Sequence, residues 1–166
     1  MADDYVQTRR QRGPKSAGPR PSRCCRLPSS LGPMITGSCL CGEVKWRLDG
    51  IVELVNFCHC TMCRKIHGAP FGAFAHGSAS DFRWLHGEPS ISRYQSSPNV
   101  YRCFCSVCGS GVPVVESDEV CMPAGSIDGD PGVRPSVHIF VGSKASWYEI
   151  TDGLPQFDRF PPDDYW

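Results

Sequence analysis

Residues 43–49 have the sequence EVKWRLD, in which polar and apolar side chains alternate without interruption. A β-strand turns successive side chains to opposite faces, so this alternation predicts a strand with one buried face. Val44, Trp46 and Leu48 are expected to face a core, while the charged side chains between them face water. This strand is the clearest element in the chain, and the fold class can be worked out from it.

Other short runs with strand character follow along the chain, and most are separated by Gly, Pro, Asn, Asp or Ser. They are residues 51–57, 71–75, 90–94, 100–104, 111–115, 120–123, 137–141 and 146–150. A single short helix is predicted over Thr61–His67. Many short strands with almost no helix predict an all-β fold.

The charge of the chain is distributed unevenly between two segments. The 166 residues carry seventeen basic and seventeen acidic side chains, but residues 1–33 hold seven basic and two acidic ones. This segment has five prolines and one aromatic residue, which is typical of a chain that cannot bury a core. We interpret residues 1–33 as a disordered basic tail or a mis-assigned start, and residues 34–166 as the folded domain. The tail lacks the aromatic interleaving of a nucleic-acid-binding arm, so no nucleic-acid partner is predicted.

Eleven cysteines are far more than a chain of this length usually contains. The sequence shows no signal-peptide pattern and no apolar run long enough to span a membrane. We therefore expect a cytoplasmic protein with no membrane partner, in which the cysteines serve as metal ligands or reactive thiols and not as a disulfide framework.

Seven cysteines stand in closely spaced motifs: Cys39 and Cys41; Cys58, Cys60 and Cys63; and Cys105 and Cys108. Closely spaced thiolates suit tetrahedral zinc, and a closed structural site needs four ligands. The two pairs together would make one four-thiolate site that joins the first strand to a distant segment. Cys103 and Cys121 are expected to be small core residues, and Cys24 and Cys25 belong to the tail.

The remaining triplet leaves two interpretations open. Three thiolates leave one tetrahedral position vacant, which is typical of a catalytic zinc. Alternatively, His67 lies four residues after Cys63 and would close a purely structural site. An iron–sulfur cluster is a further possibility, although the spacing does not match that of ferredoxins.

Several segments resemble one protein family in their motifs and in their order along residues 34–160. They are residues 37–44 (GSCLCGEV), 58–65 (CHCTMCRK) with Gly68 and Phe71, 102–109 with its FCSVCG, 138–147 (HIFVGSKASW) and 152–157 (DGLPQF). The family is that of glutathione-dependent formaldehyde-activating enzymes, which also includes centromere protein V. The resemblance implies a β-tent fold of small packed antiparallel sheets, shared with Rab-exchange-factor-like proteins and stapled by zinc.

The resemblance also implies two zinc ions per chain and a function. The structural ion would lie on Cys39, Cys41, Cys105 and Cys108, and the catalytic ion on Cys58, Cys60 and Cys63. The implied enzyme is a carbon–sulfur lyase that resembles S-(hydroxymethyl)glutathione synthase and reversibly adds a glutathione-like thiol to formaldehyde or another small aldehyde. Small thiols and aldehydes would be its partners. The alternative is a non-catalytic zinc module that binds a protein or a cytoskeletal polymer.

The hypothetical mechanism needs a group that carries a proton to or from the hydroxyl of the adduct. Imidazole titrates in the right range, so His59, His67 and His138 are the candidates. Arg64 and Lys65 are candidates for binding a substrate carboxylate. Trp147 is either a wall of the pocket or a core residue.

Overall fold

The structure is a computed structural model that describes residues 33–165. The proposed tail lies outside the described residues, apart from Pro33. The described part contains eleven strands and one α-helix. They are β1 (Met34–Ser38), β2 (Lys45–Asp49), β3 (Leu54–Cys58), α1 (Thr61–His67), β4 (Gly72–Ser78), β5 (Phe82–His86), β6 (Ile91–Ser97), β7 (Val100–Cys105), β8 (Val114–Val115), β9 (Glu119–Pro123), β10 (Ile127–Asp128) and β11 (Pro135–Ile139). The all-β class is confirmed, and the helix has the predicted bounds.

The first sheet has four antiparallel strands in the order β10-β1-β2-β5. Strand β2 lies within the stretch that opened the sequence analysis, and Val44, Trp46 and Leu48 are all fully buried, as predicted. The Trp46 ring lies over Gly37 on the neighbouring strand, where an added Cβ would lie 2.0 Å from a ring carbon. Only a glycine lets the two strands pair with this indole between the sheet and its core.

The second sheet has five strands in the order β11-β3-β4-β9-β8. The pair β3–β11 is parallel, whereas the resemblance implied antiparallel sheets throughout. Parallel neighbours need a long connection between them, and here the connection contains most of the domain. As a result, the end of β3 is paired with a segment from the far end of the chain, with Cys58 opposite Ile139.

The remaining strands, β6 and β7, form a hairpin of their own. Three groups of buried side chains make up the core, and two of them include cysteines of the predicted metal sites. The third group contains no such cysteine. It lies between the two larger sheets and includes Trp46, Leu48, Val55 and Met122. Packing of this kind accounts for most of the folding free energy in a domain of this size.

Some predicted elements are wrong. Residues 146–150 are not a strand, because the backbone turns there: the Tyr148 N–H donates to the Ala145 carbonyl, and Lys144 Nζ donates to the Tyr148 carbonyl. The predicted strand over 111–115 shortens to β8, since Pro113 has no N–H for a ladder. The alternation rule missed β1, β5 and β10. Among the described residues, no helix is long and apolar enough to cross a membrane.

Candidate metal centres and the adjoining cavity

The structure gathers the seven motif cysteines into two clusters. One contains Cys39, Cys41, Cys105 and Cys108, and the other contains Cys58, Cys60 and Cys63. Within each cluster the sulfur atoms all lie within 4.8 Å of one another. Cys103 and Cys121 belong to neither cluster, and both are half-buried. The fold therefore sorts the cysteines into the four, three and two that the spacing predicted for the domain.

Two tight turns of similar shape build the four-cysteine cluster. In the first, Gly42 has φ +75° and its N–H donates to the Cys39 carbonyl at 3.0 Å. In the second, Gly109 has φ +77° and donates to the Cys105 carbonyl at 2.8 Å. A left-handed glycine after each pair lets the backbone curl around the sulfurs. The Val44 N–H then donates to Cys39 Sγ at 3.2 Å, which stabilises a negative sulfur.

The spacing of these sulfurs fits a zinc ion. Tetrahedral zinc with Zn–S bonds of about 2.3 Å places its sulfurs about 3.8 Å apart. The distance from Cys41 Sγ to Cys105 Sγ is 3.9 Å, and that from Cys39 Sγ to Cys41 Sγ is 3.5 Å. Four thiol donors at these separations could hold zinc with a closed shell.

The three-cysteine cluster lies where β3 passes into α1. Cys58 ends β3, Cys60 caps the helix, and Cys63 lies in its first turn. The Cys60 sulfur accepts a hydrogen bond from the Cys63 N–H at 3.3 Å. A sulfur thus caps this helix where a hydroxyl or carboxylate oxygen usually does. The His59 N–H between them donates to the Ile139 carbonyl at 2.9 Å. This bond ties the turn to β11, and all three thiols are buried.

No fourth ligand joins the triplet among residues 33–165: no further His, Cys, Asp or Glu places a ligand atom in this set. His67, the residue that would have closed the site, instead packs edge-on against Phe74 with ring centroids 5.2 Å apart. Burial, and then the positive charge of Arg102, lower the pKa of His67, so this imidazole is neutral at pH 7.

Proximity makes the three thiols ionise unequally. Cys60 accepts hydrogen bonds from Cys58 and Cys63, which lower its pKa to about 3. The pKa of Cys58 is raised by its hydrogen bonds to the other two sulfurs and by burial. Three negative charges so close together repel one another. Together the three sulfurs could hold a divalent cation, which would neutralise that repulsion.

A cavity of about 170 Å³ opens beside Cys58 and Cys63. His67 and Phe74 contribute to its wall, and so does Arg102 on β7. Arg102 Nη2 donates to Cys63 Sγ at 3.7 Å. The cavity therefore brings together buried thiols, one cationic side chain and a neutral imidazole. It is the place where a small molecule would meet the triplet.

The comparisons with known proteins agree with the sequence motifs. A family model described as glutathione-dependent formaldehyde-activating enzyme matches residues 34–143, which is more than half of the chain. The chain belongs to the glutathione-dependent formaldehyde-activating enzyme family.

Two individual proteins show how far the similarity extends. A Halomonas elongata protein, provisionally named a glutathione-dependent formaldehyde-activating enzyme, is 34% identical over an alignment of 128 positions, and the match covers 70% of this chain and 81% of that protein. A solved structure of a Rhodobacter sphaeroides protein aligns with a TM-score of 0.46 and 24% identity, over 57% of this chain and 89% of that one.

The candidate histidines of this family member divide between two places. His67 lines the cavity, but His59 and His138 do not. These two imidazoles are fully buried and hydrogen-bonded to each other. Sequence reasoning missed His76, which also lines the cavity and bonds Asn56 at 2.8 Å and Glu119. The sequence signal that could have found His76 is its position two residues after Phe74, which puts both side chains on the same face of β4.

The other sequence candidates lie away from the cavity. Arg64 and Lys65 do not line it, although they follow Cys63 directly. Trp147 is 73% exposed and belongs to neither the core nor the cavity wall. A substrate carboxylate inside the cavity would instead meet Arg102.

Proposed function

We propose that this protein is a zinc-dependent carbon–sulfur lyase that reversibly adds a glutathione-like thiol to formaldehyde or another small aldehyde. The observation that carries the proposal is the Cys58, Cys60 and Cys63 cluster: three buried thiols beside a cavity, with no fourth ligand among residues 33–165. The family assignment supports the reaction class. The cytoplasmic location stays a prediction from the sequence, in which no signal-peptide pattern was found.

The reaction forms one carbon–sulfur bond. The sulfur of the thiol attacks the carbonyl carbon, the C=O π electrons move to oxygen, and that oxygen takes up the proton lost by the thiol. The reverse reaction releases the aldehyde and restores the S–H bond. A bound zinc would supply positive charge that lowers the pKa of a thiol or polarises a carbonyl oxygen.

Arg102 supports this chemistry electrostatically. Three thiolates give the site an excess of negative charge, which would oppose the approach of an anionic sulfur nucleophile. The Arg102 guanidinium, 3.7 Å from Cys63 Sγ, offsets part of that charge. It also offers donors to a substrate carboxylate from the same side of the cavity.

His67 is the proton carrier in this proposal. Among the three histidines singled out in the sequence, it alone lines the cavity. A neutral ring nitrogen accepts the thiol proton, and the imidazolium then returns it to the adduct oxygen. His59 and His138 are bonded to each other outside the cavity wall, so this proposal gives them no contact with substrate.

The alternative function, a non-catalytic zinc module, would be favoured by a protein ligand that completes the second site. The described residues contain no such ligand. The wild-type chain should contain two zinc ions and should accelerate the reaction of glutathione with formaldehyde or with another small aldehyde. A chain with two zinc ions that accelerates none of these reactions would favour the module.

Paired cysteine variants test the assignment. Cys60→Ser should retain the fold and one zinc, and should lose thiol-dependent aldehyde turnover.

Cys105→Ser should lose the stable fold, because the four-cysteine cluster joins β1 to the end of β7. Cys103→Ser is the matched control, since Cys103 lies outside both clusters, and it should keep both zinc ions. Full turnover by Cys60→Ser would refute the catalytic role of the triplet.

A further inference from the structure

The cavity beside the triplet is much larger than formaldehyde requires. Its volume is about 170 Å³, and an apolar cavity of about 150 Å³ is enough to bind benzene. The single carbon of formaldehyde would fill only a small part of this space. The rest would either hold water or accommodate a larger group attached to the reacting carbon.

Much of the wall is apolar. Phe74, Val112 and Ile139 line the cavity and are themselves 9%, 1% and 5% exposed, so they belong to the packed core. Ile66 and Pro123 add further apolar surface. Contact with this surface favours a hydrocarbon group, since each buried methylene gains free energy on transfer from water.

Three polar side chains of the wall are hydrogen-bonded to one another. His76 bonds Asn56 through Nε2 at 2.8 Å and Glu119 through Nδ1. Along β4, His76 lies four residue steps from Gly72, which pairs with Cys58, and this corresponds to about 13 Å of strand. An apolar ligand between them would therefore leave this hydrogen-bonded group intact.

The apolar volume suits the aldehyde better than the thiol. Glutathione carries carboxylates and an ammonium group, and burying such charges without partners is costly. Its sulfur can approach the triplet while one of its carboxylates meets Arg102, whose guanidinium lies 3.7 Å from Cys63 Sγ. The group that enters the cavity is then the one attached to the carbonyl carbon.

We infer that the aldehyde substrate is apolar, with a hydrocarbon side chain up to about the size of a phenyl ring, and that formaldehyde is a poor occupant of this site. The inference rests on the proposed function and names its substrate class. The reaction is the same addition, in which the new carbon–sulfur bond forms at the carbonyl carbon and the proton ends on its oxygen.

A series of straight-chain aldehydes from propanal to hexanal tests the inference, since their carbonyl groups differ little in reactivity. With glutathione and zinc-loaded protein, kcat/KM should rise about four-fold for each added methylene until the cavity is full. Constant or falling kcat/KM along the series, together with turnover of formaldehyde, would overturn the inference and leave the proposed function standing. No turnover of any aldehyde would overturn both.

Two glycine variants show whether the cavity is responsible. Gly111 lines it, has no positive φ, and would place a Cβ at an ordinary contact distance of 3.5 Å from Pro123. Gly111→Leu should therefore fill the cavity and reduce kcat/KM for hexanal at least ten-fold more than for propanal. Gly125→Leu is the matched control, because Gly125 has an unstrained φ and nothing within 4 Å of an added Cβ. Equal losses for both aldehydes in Gly111→Leu would overturn the inference.

Direct binding provides a readout that does not depend on catalysis. In calorimetric titrations, 1-hexanol should bind the zinc-loaded wild-type protein and Gly125→Leu, and its affinity should fall at least ten-fold in Gly111→Leu. Methanol should show no measurable binding to any of the three. Equal binding of 1-hexanol to the two variants would place the ligand outside the cavity and contradict the inference.

Discussion

His59 and His138 are joined by a hydrogen bond of 2.8 Å between Nε2 and Nδ1, and both side chains are fully buried. His138 continues the chain through Nε2 to the Asp152 carboxylate, at 3.0 and 3.1 Å. A carboxylate only accepts, so a neutral His138 donates from Nε2 and accepts at Nδ1 from His59. This leaves His59 Nδ1 as an acceptor with no hydrogen bond within residues 33–165.

This chain of hydrogen bonds is expected to hold the Cys58–Cys60 turn in place. His138→Gln or Asp152→Asn should loosen the turn and speed the removal of one zinc ion by a chelator about ten-fold, as loss of groups that orient metal ligands commonly does. Release of the second zinc should not change. His76→Gln removes a different bonded histidine and should leave both release rates at the wild-type value. Unchanged release in His138→Gln would contradict this positioning role.

The stability of the domain should depend on His59 at acidic pH. Burial, and then the nearby His138, lower the pKa of His59 to about 4, against about 6.5 in an unfolded chain. The unfolded chain therefore binds the extra proton first, and stability is lost as pH falls from 6.5 to 4. The free energy of unfolding should fall by about 3 kcal/mol over this range.

Urea unfolding of the wild type and His59→Gln at pH 7 and pH 4.5 measures this contribution. Both proteins lose zinc affinity at low pH, so the difference between them isolates the histidine. His59→Gln should show the smaller fall. The same fall in both proteins would mean that His59 titrates normally in the folded state.

Zinc binding at the triplet should release two protons near neutral pH. Of the three thiols, Cys60 ionises first, since its pKa is about 3. The pKa of Cys63 is lowered by the hydrogen bond from Cys58, but the bond to Cys60 and burial raise it to about 12 overall. The pKa of Cys58 is raised as well. Two thiols must therefore lose protons, and the apparent affinity should fall about 100-fold for each unit that pH drops.

The measurement is a competition against a chelator at several pH values, on protein that carries zinc only at the four-cysteine cluster. A pH-indicator dye counts the protons released in the same titration. Release of three protons would mean that Cys60 is protonated in the metal-free cluster, contrary to the prediction.

Arg102 should strengthen metal binding at the triplet through its charge. Its guanidinium lies 3.7 Å from Cys63 Sγ, and a positive charge at this distance favours the thiolate. Arg102→Gln should weaken zinc binding at the triplet by about ten-fold, which corresponds to roughly 1.4 kcal/mol. Arg93→Gln, which removes an arginine stacked on Tyr101 at 4.4 Å in the same hairpin, is the control. Equal losses in both variants would assign the effect to the hairpin and not to the charge.

Gly87 should be irreplaceable for stability. It has φ +74°, and an added Cβ would lie 2.0 Å from the Glu43 carbonyl oxygen, beside the first turn of the four-cysteine cluster. Gly87→Ala should lower the free energy of unfolding by roughly 3 kcal/mol or more, from strain and overlap together. Gly132 has φ +80° and nothing within 4 Å of its Cβ position, so Gly132→Ala should cost only about 1 kcal/mol. Similar losses of unfolding free energy at the two positions would mean that the atoms around Gly87 move aside at little cost.

Local patterns in the sequence predicted a large part of this protein. Alternation over residues 43–49 located β2 and its buried face, because a strand with one buried face imposes that period on its side chains. The spacing of the cysteines divided them into a four, a three and a remainder, because a tetrahedral ion needs ligands from short, sharply turned segments. These features depend on neighbouring residues, and neighbours in the chain stay neighbours in the fold.

Long-range geometry was decided only by the tertiary structure. The sequence left His67 as a possible fourth ligand, whereas the packing of its ring on Phe74 removes it from the triplet. The parallel pairing of β3 with β11 brings His138 against His59, and the strand order places His76 in the cavity wall. Such contacts join residues far apart in the chain, and no local period encodes which distant strand will be the neighbour. The cysteines alone thus determined where metal could bind, and the packing of the sheets decided what surrounds it.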